Sequence, residues 1–88
     1  MIRRWYENGQ IKGEANYIQG NQEGLLTEWY INGGLQGKSN FKNNKPEGMS
    51  KVWFENGQLE REVNLIEGVK DGLFREWYDN GHQKTEKP

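Results

Sequence analysis

Tryptophan stands at residues 5, 29, 53 and 77, always 24 residues apart, and each opens the same phrase: WYENGQ, WYINGG, WFENGQ and WYDNGH. No insertion breaks the interval. Self-similarity at such a period marks stacked supersecondary units, none of which can bury its apolar face alone. The chain divides into repeats 5–28, 29–52 and 53–76 and a partial repeat 77–88, all within one domain spanning 1–88. Other columns hold as well. One is Tyr6, Tyr30, Phe54 and Tyr78. Others are Ile11, Leu35 and Leu59; Gly24, Gly48 and Gly72; and Gly20, Asn44 and Gly68.

Each unit carries two strand signals. The Asn-Gly pairs at 8–9, 32–33, 56–57 and 80–81 predict two-residue type I′ hairpins, whose central positions both need positive φ. After the turn the chain alternates, with Ile11, Gly13, Ala15 and Tyr17 on one face and Gln10, Lys12, Glu14 and Asn16 on the other. No helical period appears. The turn predicts pairing of Tyr6 with Ile11, Trp5 with Lys12 and Arg3 with Glu14. A four-residue second connection such as 19–22 then extends these pairs into rows across a sheet. One row is apolar: Tyr6, Ile11, Tyr30, Leu35, Phe54, Leu59 and Tyr78. A second sets Tyr17, Phe41 and Leu65 beside Gly24, Gly48 and Gly72. A third runs Trp5, Lys12, Trp29, Gln36, Trp53, Glu60, Trp77 and Lys84. The fourth is mostly charged: Arg3, Glu14, Thr27, Lys38, Lys51, Glu62, Arg75 and Glu86. The expected fold is all-β, a curled antiparallel meander of hairpin repeats with about seven strands. Gly13, Gly24, Gly37, Gly48 and Gly72 are expected to let it curl.

Composition limits the function classes. Only 32% of the residues are apolar, yet 12% are aromatic, which argues against disorder. The 12 basic and 13 acidic residues are well mixed, with no basic block for nucleic acid or an anionic membrane. Cysteine is absent, which fits a reducing compartment and a cytoplasmic location. No apolar run reaches the roughly 18 residues of a membrane helix, and MIRRWYENGQ lacks the apolar stretch of a signal peptide.

The recurring Trp-Tyr-x-Asn-Gly-x-Leu phrase, its short strand ending in Tyr or Phe, the glycine-marked turn and the return strand resemble the MORN repeat. The bacterial antitoxin-type variant is the nearer likeness, and the resemblance covers essentially the whole chain. It implies a curled sheet of hairpins with an interaction or scaffolding role, no catalytic residues and no cofactor. The antitoxin label implies neutralisation of a partner protein. Eukaryotic relatives imply phosphoinositide membranes, for which this chain supplies no basic cluster. Two ends depart from the pattern. Gln83 replaces the Ile or Leu of the other repeats, and the KTEKP that follows reads as a polar cap against edge pairing. MIRRW starts inside a strand, and an open edge there can pair with another copy.

Trp5, Trp29, Trp53 and Trp77 form the candidate binding surface. Aromatic ladders hold cations such as choline, and the chain is also similar to the choline- and wall-binding repeats, so a carbohydrate or cell-wall ligand is the alternative. Against both stands a purely packing role for the tryptophans. Glu23, Glu47, Asp71, Glu7, Glu55 and Asp79 recur near turns without the ligand spacing of a calcium loop. His82 is the only histidine and has no catalytic companions. No phosphate loop or dinucleotide fingerprint occurs. The expected function is a non-enzymatic module that binds another protein through its aromatic face or an edge strand.

Overall fold

The computed structural model describes residues 1–87. Every element is a strand. In chain order they are β1 (Ile2–Trp5), β2 (Ile11–Ala15), β3 (Tyr17–Ile18), β4 (Asn21–Gln22), β5 (Gly24–Trp29), β6 (Leu35–Lys42), β7 (Lys45–Pro46), β8 (Gly48–Trp53), β9 (Leu59–Ile66), β10 (Val69–Trp77) and β11 (Gln83–Lys87). The main sheet runs β1-β2-β5-β6-β8-β9-β10-β11, with β7 paired to β6, and β3 and β4 form a small ladder of their own. All pairings are antiparallel, as the meander requires.

The sheet is one layer. Its principal extents are 37 × 33 × 11 Å. Among the described residues no apolar side chain is fully buried. The best-covered polar residues are Thr27 and Glu62, at 5% and 8% exposure. Both belong to the charged row, which stands as expected from end to end. The pairs are Arg3↔Glu14, Glu14↔Thr27, Thr27↔Lys38, Lys38↔Lys51, Lys51↔Glu62, Arg75↔Glu62 and Arg75↔Glu86. Lateral neighbours cover this row where a second layer covers the strands of most domains.

The turns differ from expectation. At the Asn-Gly phrases the loop has three residues, not two. Gly9 N–H donates to Tyr6 O at 3.0 Å and Tyr6 N–H to Gln10 O at 2.8 Å. Gly9 has φ 89°, while Asn8 is not among the residues of positive φ. This is a type I turn followed by a left-handed glycine bulge. The Asn column has another job. Asn8, Asn32, Asn56 and Asn80 each accept, through Oδ1, the backbone N–H two residues on, at 2.8–3.0 Å. The bulge corrects the register beside the turn. Trp5 pairs with Ile11 rather than Lys12, and Trp29 with Leu35, Trp53 with Leu59 and Trp77 with Gln83.

Type I′ geometry occurs instead at the second connections. Gln19 and Gly20 have φ 50° and 84°, Asn43 and Asn44 51° and 69°, Glu67 and Gly68 51° and 83°. These two-residue loops replace the expected four-residue loop 19–22, with Ile18↔Asn21 and Tyr17↔Gln22 paired. Gly24 and Leu25 then pair with the next strand, as Gly24↔Phe41 and Leu25↔Asn40. Two loop residues and two displaced residues together shift the strand as far as four loop residues would. The body register therefore survives. The Gly row survives in two of its five pairings: Gly24↔Phe41 and Gly48↔Leu65 hold, but Tyr17 pairs with Gln22, Phe41 also with Pro46, and Leu65 with Lys70.

Candidate interaction surface

Each tryptophan ends its strand (β1, β5, β8 or β10), because the residue after it begins the Asn-Gly turn. The column is therefore level across the sheet. Trp5, on the outer strand, is 59% exposed, whereas Trp29, Trp53 and Trp77 are half-buried. Consecutive members lie two strands apart, about 9–10 Å, beyond the roughly 4.5–7 Å of interacting ring pairs. Ile11, Leu35 and Leu59 stand opposite them on the strands between. The four rings are thus a spaced row rather than a stack, and Trp5 presents the most open aromatic surface among them.

The neighbouring aromatic column joins the repeats, a role hidden in the sequence by its apolar appearance. Tyr6 Oη donates to Trp29 O at 2.7 Å, and Tyr30 Oη to Trp53 O at 2.5 Å. On the same rim Asn32 Nδ2 reaches Glu55 O at 3.5 Å and Asn56 Nδ2 reaches Asp79 O at 2.7 Å. Tyr in three of the four repeats, where Phe would serve a purely apolar column, was the available signal. Burial is the first cause that raises the Tyr30 phenol above its ordinary value of 10.0, and the negative charges of Glu60 and Glu55 and the Tyr6 phenol add to it. The Lys12 ammonium stands 5.5 Å from the Tyr6 ring centre and that of Lys84 5.6 Å from the Tyr78 ring centre.

Two rows on the face opposite the charged row have no counterpart in the sequence expectations. One runs Arg4, Gly13, Glu28, Gly37, Val52, Arg61 and Glu76. Arg4 Nη2 crosses Gly13 to reach Glu28 Oε2 at 3.8 Å. A Cβ on Gly13 would meet that nitrogen at 3.2 Å. Gly13 is therefore an open lane for the ion pair. In the other row Ser39 and Ser50 share a hydroxyl bond of 2.7 Å. At the β1 end of this face lies a shallow depression of about 420 Å³, with Ile2, Ala15, Tyr17 and Leu26 in its lining and the Arg4–Glu28 pair beside them.

On the charged row Glu62 accepts from Arg75 Nη1 at 3.1 Å and lies 4.0 Å from Lys51 Nζ. Arg3 Nε meets Glu14 Oε2 at 3.2 Å. The turn acids stay apart: among the described residues no three His, Cys, Asp or Glu side chains converge as a metal site would require. His82 is exposed beside the last Asn-Gly turn. No helix among the described residues is long and apolar enough to cross a membrane.

A one-layer antiparallel sheet of similar hairpins, knit by a bond ladder that recurs with the repeat, defines a β-hairpin repeat protein. The MORN repeat variant matches residues 2–19, 22–43, 46–66 and 70–87. The chain belongs to that family. Three of the four matched segments end at a type I′ turn, so each covers one Asn-Gly hairpin with its flanking strands. Comparison with curated proteins and with solved structures finds no match.

Proposed function

We propose that this chain is a non-enzymatic repeat module that binds another protein across its sheet. The observation that carries this reading is the one-layer sheet with Trp5, Leu25, Met49 and Tyr17 exposed and no apolar side chain buried among the described residues. Trp5, Leu25 and Met49 share the face of the charged row and Tyr17 the opposite one, and large apolar side chains left open on a sheet face mark sites of protein association. The depression beside Ile2 and Leu26 sets apolar side chains next to the Arg4–Glu28 pair, the mixture of apolar and charged groups that protein interfaces use. Antitoxin-like neutralisation of a partner protein is one form of this function and rests on the family likeness. The spacing of the tryptophans favours a protein over a choline or sugar ligand, since consecutive rings lie two strands apart, about 9–10 Å, too far to close together on one small ligand.

The test is binding of a purified partner to wild type, Trp5→Ala and Trp29→Ala by titration calorimetry, after circular dichroism shows all three folded. An aromatic anchor in the interface predicts a roughly tenfold or greater loss of affinity for Trp5→Ala. Equal affinity for all three chains would remove the tryptophan face from the function. Fluorescence quenching by choline or glycans, with no protein bound, would move the function to a small ligand.

A further inference from the structure

Two bonds recur at junctions along the Asn-Gly rim. The tyrosine hydroxyl reaches the tryptophan carbonyl 23 residues on, from Tyr6 to Trp29 and from Tyr30 to Trp53. The asparagine amide reaches the carbonyl 23 residues on, from Asn32 to Glu55 and from Asn56 to Asp79. Only Phe54 breaks the tyrosine series. At the last repeat both donors are present and neither has its acceptor in this chain. Tyr78 is 52% exposed, and among the described residues no group accepts from its hydroxyl. Its ring nevertheless sits as that of Tyr6 does, with Lys84 Nζ over it at 5.6 Å where Lys12 Nζ lies 5.5 Å over Tyr6. The donor is thus preset in the environment of one that makes the bond.

The first repeat holds the matching acceptors. Trp5 O and Glu7 O occupy the places of Trp29 O and Glu55 O, with no preceding tyrosine or asparagine in this chain to meet them. Among the described residues no strand pairs with the outer edge of β1, and Met1, Ile2 and Trp5 are exposed. Among the described residues none pairs with the outer edge of β11 either.

We propose that copies of this chain assemble head to tail, β1 of one copy adding antiparallel to β11 of the next in the repeat's own register. The internal pairs Gly13↔Glu28 and Glu14↔Thr27 set that register. Moved along by whole repeats, it places Thr85 opposite Arg4 and Glu86 opposite Arg3 of the second copy. Tyr78 Oη then donates to the second copy's Trp5 O, and Asn80 Nδ2 to its Glu7 O. The occupant is a second copy because only this chain's own first repeat is shown to offer both carbonyls at the repeat's spacing. The contact joins two different surfaces, so it propagates rather than closing at two. The assembly uses the edges alone and stands whether or not the sheet face binds another protein.

Sedimentation velocity of the 88-residue chain over a micromolar-to-millimolar series tests this. Species beyond the dimer are expected to grow with concentration. Tyr6 N–H points inward to Gln10 O, so by strand alternation Arg3 N–H points outward. Arg3→Pro removes that outward donor where edge strands tolerate proline, and is expected to abolish growth and to shorten wild-type assemblies when mixed with them. Tyr78→Phe, and Asn80→Asp, which keeps the Oδ1 that accepts His82 N–H and removes only the Nδ2 donor, are each expected to weaken association roughly three- to tenfold. A monomer throughout, a dimer that stops at two, or association unchanged by Tyr78→Phe and Asn80→Asp would each overturn the proposal. A monomer throughout would establish KTEKP as the polar cap that its charges suggest.

Discussion

The hydroxyl of Tyr30 donates to the carbonyl oxygen of Trp53, 23 residues later, at 2.5 Å. Strand β6 runs between the strands that flank these residues, so the bond crosses a strand to tie one hairpin to the next. Among the described residues no buried apolar core aligns the hairpins of this one-layer sheet, and such cross-strand ties take over that role.

Tyr30→Phe removes this tie and is expected to destabilise the fold by about 0.5–1.5 kcal/mol. Phe54→Tyr restores the missing member of the series and is expected to add about 0.5–1 kcal/mol. Urea unfolding of both variants beside wild type measures each shift. A destabilised Phe54→Tyr would show that the third repeat does not align as the first two do.

Two glycines should respond oppositely to the same change. Gly57 has φ 91°, and a methyl added there would meet no atom within 4 Å, so the cost of alanine is confined to the backbone. Gly57→Ala is expected to cost about 1–2 kcal/mol. Gly37 lies outside the left-handed region, and its methyl would make an ordinary 3.5 Å contact with Lys51 O. Gly37→Ala is expected to stabilise by about 0.5 kcal/mol, since glycine weakens a strand interior. Thermal melts of the pair separate turn glycines from strand glycines.

Gln19 and Glu67 hold φ 50° and 51° at the first position of type I′ turns. A long side chain is strained there, and asparagine adopts the conformation more readily. Gln19→Asn and Glu67→Asn are each expected to raise stability by about 0.5–1 kcal/mol. Denaturant midpoints that fall in both variants would show that these side chains make contacts worth more than the strain.

Alkali should weaken the fold through Tyr30. Its folded-state pKa lies above 10.0 because burial and the nearby Glu60 and Glu55 disfavour the phenolate. As pH passes the unfolded value, the unfolded chain loses its proton first and gains relative stability. The stabilisation from Tyr30 is complete below about pH 10 and is lost as pH climbs through the raised value. Unfolding free energy followed from pH 8 upward is expected to fall more steeply for wild type than for Tyr30→Phe. Parallel slopes would assign the fall to other groups.

The candidate surface was legible in position but not in form. Trp5, Trp29, Trp53 and Trp77 lie level, as their spacing requires, yet the strand between each pair keeps the rings apart. The Arg4–Glu28 pair over Gly13 escaped the sequence because glycine in a strand reads equally as weakness, bend or clearance. Only the side chain passing over Gly13 distinguishes the last of these.

The sequence by itself determined the period, the all-strand architecture and the full charged row from Arg3 to Glu86. Register in a meander depends on the number of residues between strands and on side-chain alternation, and both are written in the chain. The tertiary structure decided how those residues are spent. Asn-Gly suits a type I′ turn, but it suits equally a type I turn with a glycine bulge, where Asn Oδ1 takes the following N–H. Four connecting residues can form one loop, or a two-residue loop with two displaced residues. These alternatives leave the strand bodies in place and differ only in local hydrogen bonds and φ. The choice falls to the neighbouring repeats: Asn44 N–H reaches Gln22 O at 3.0 Å and Gly68 N–H reaches Pro46 O at 2.9 Å, so each short turn rests on the one before it.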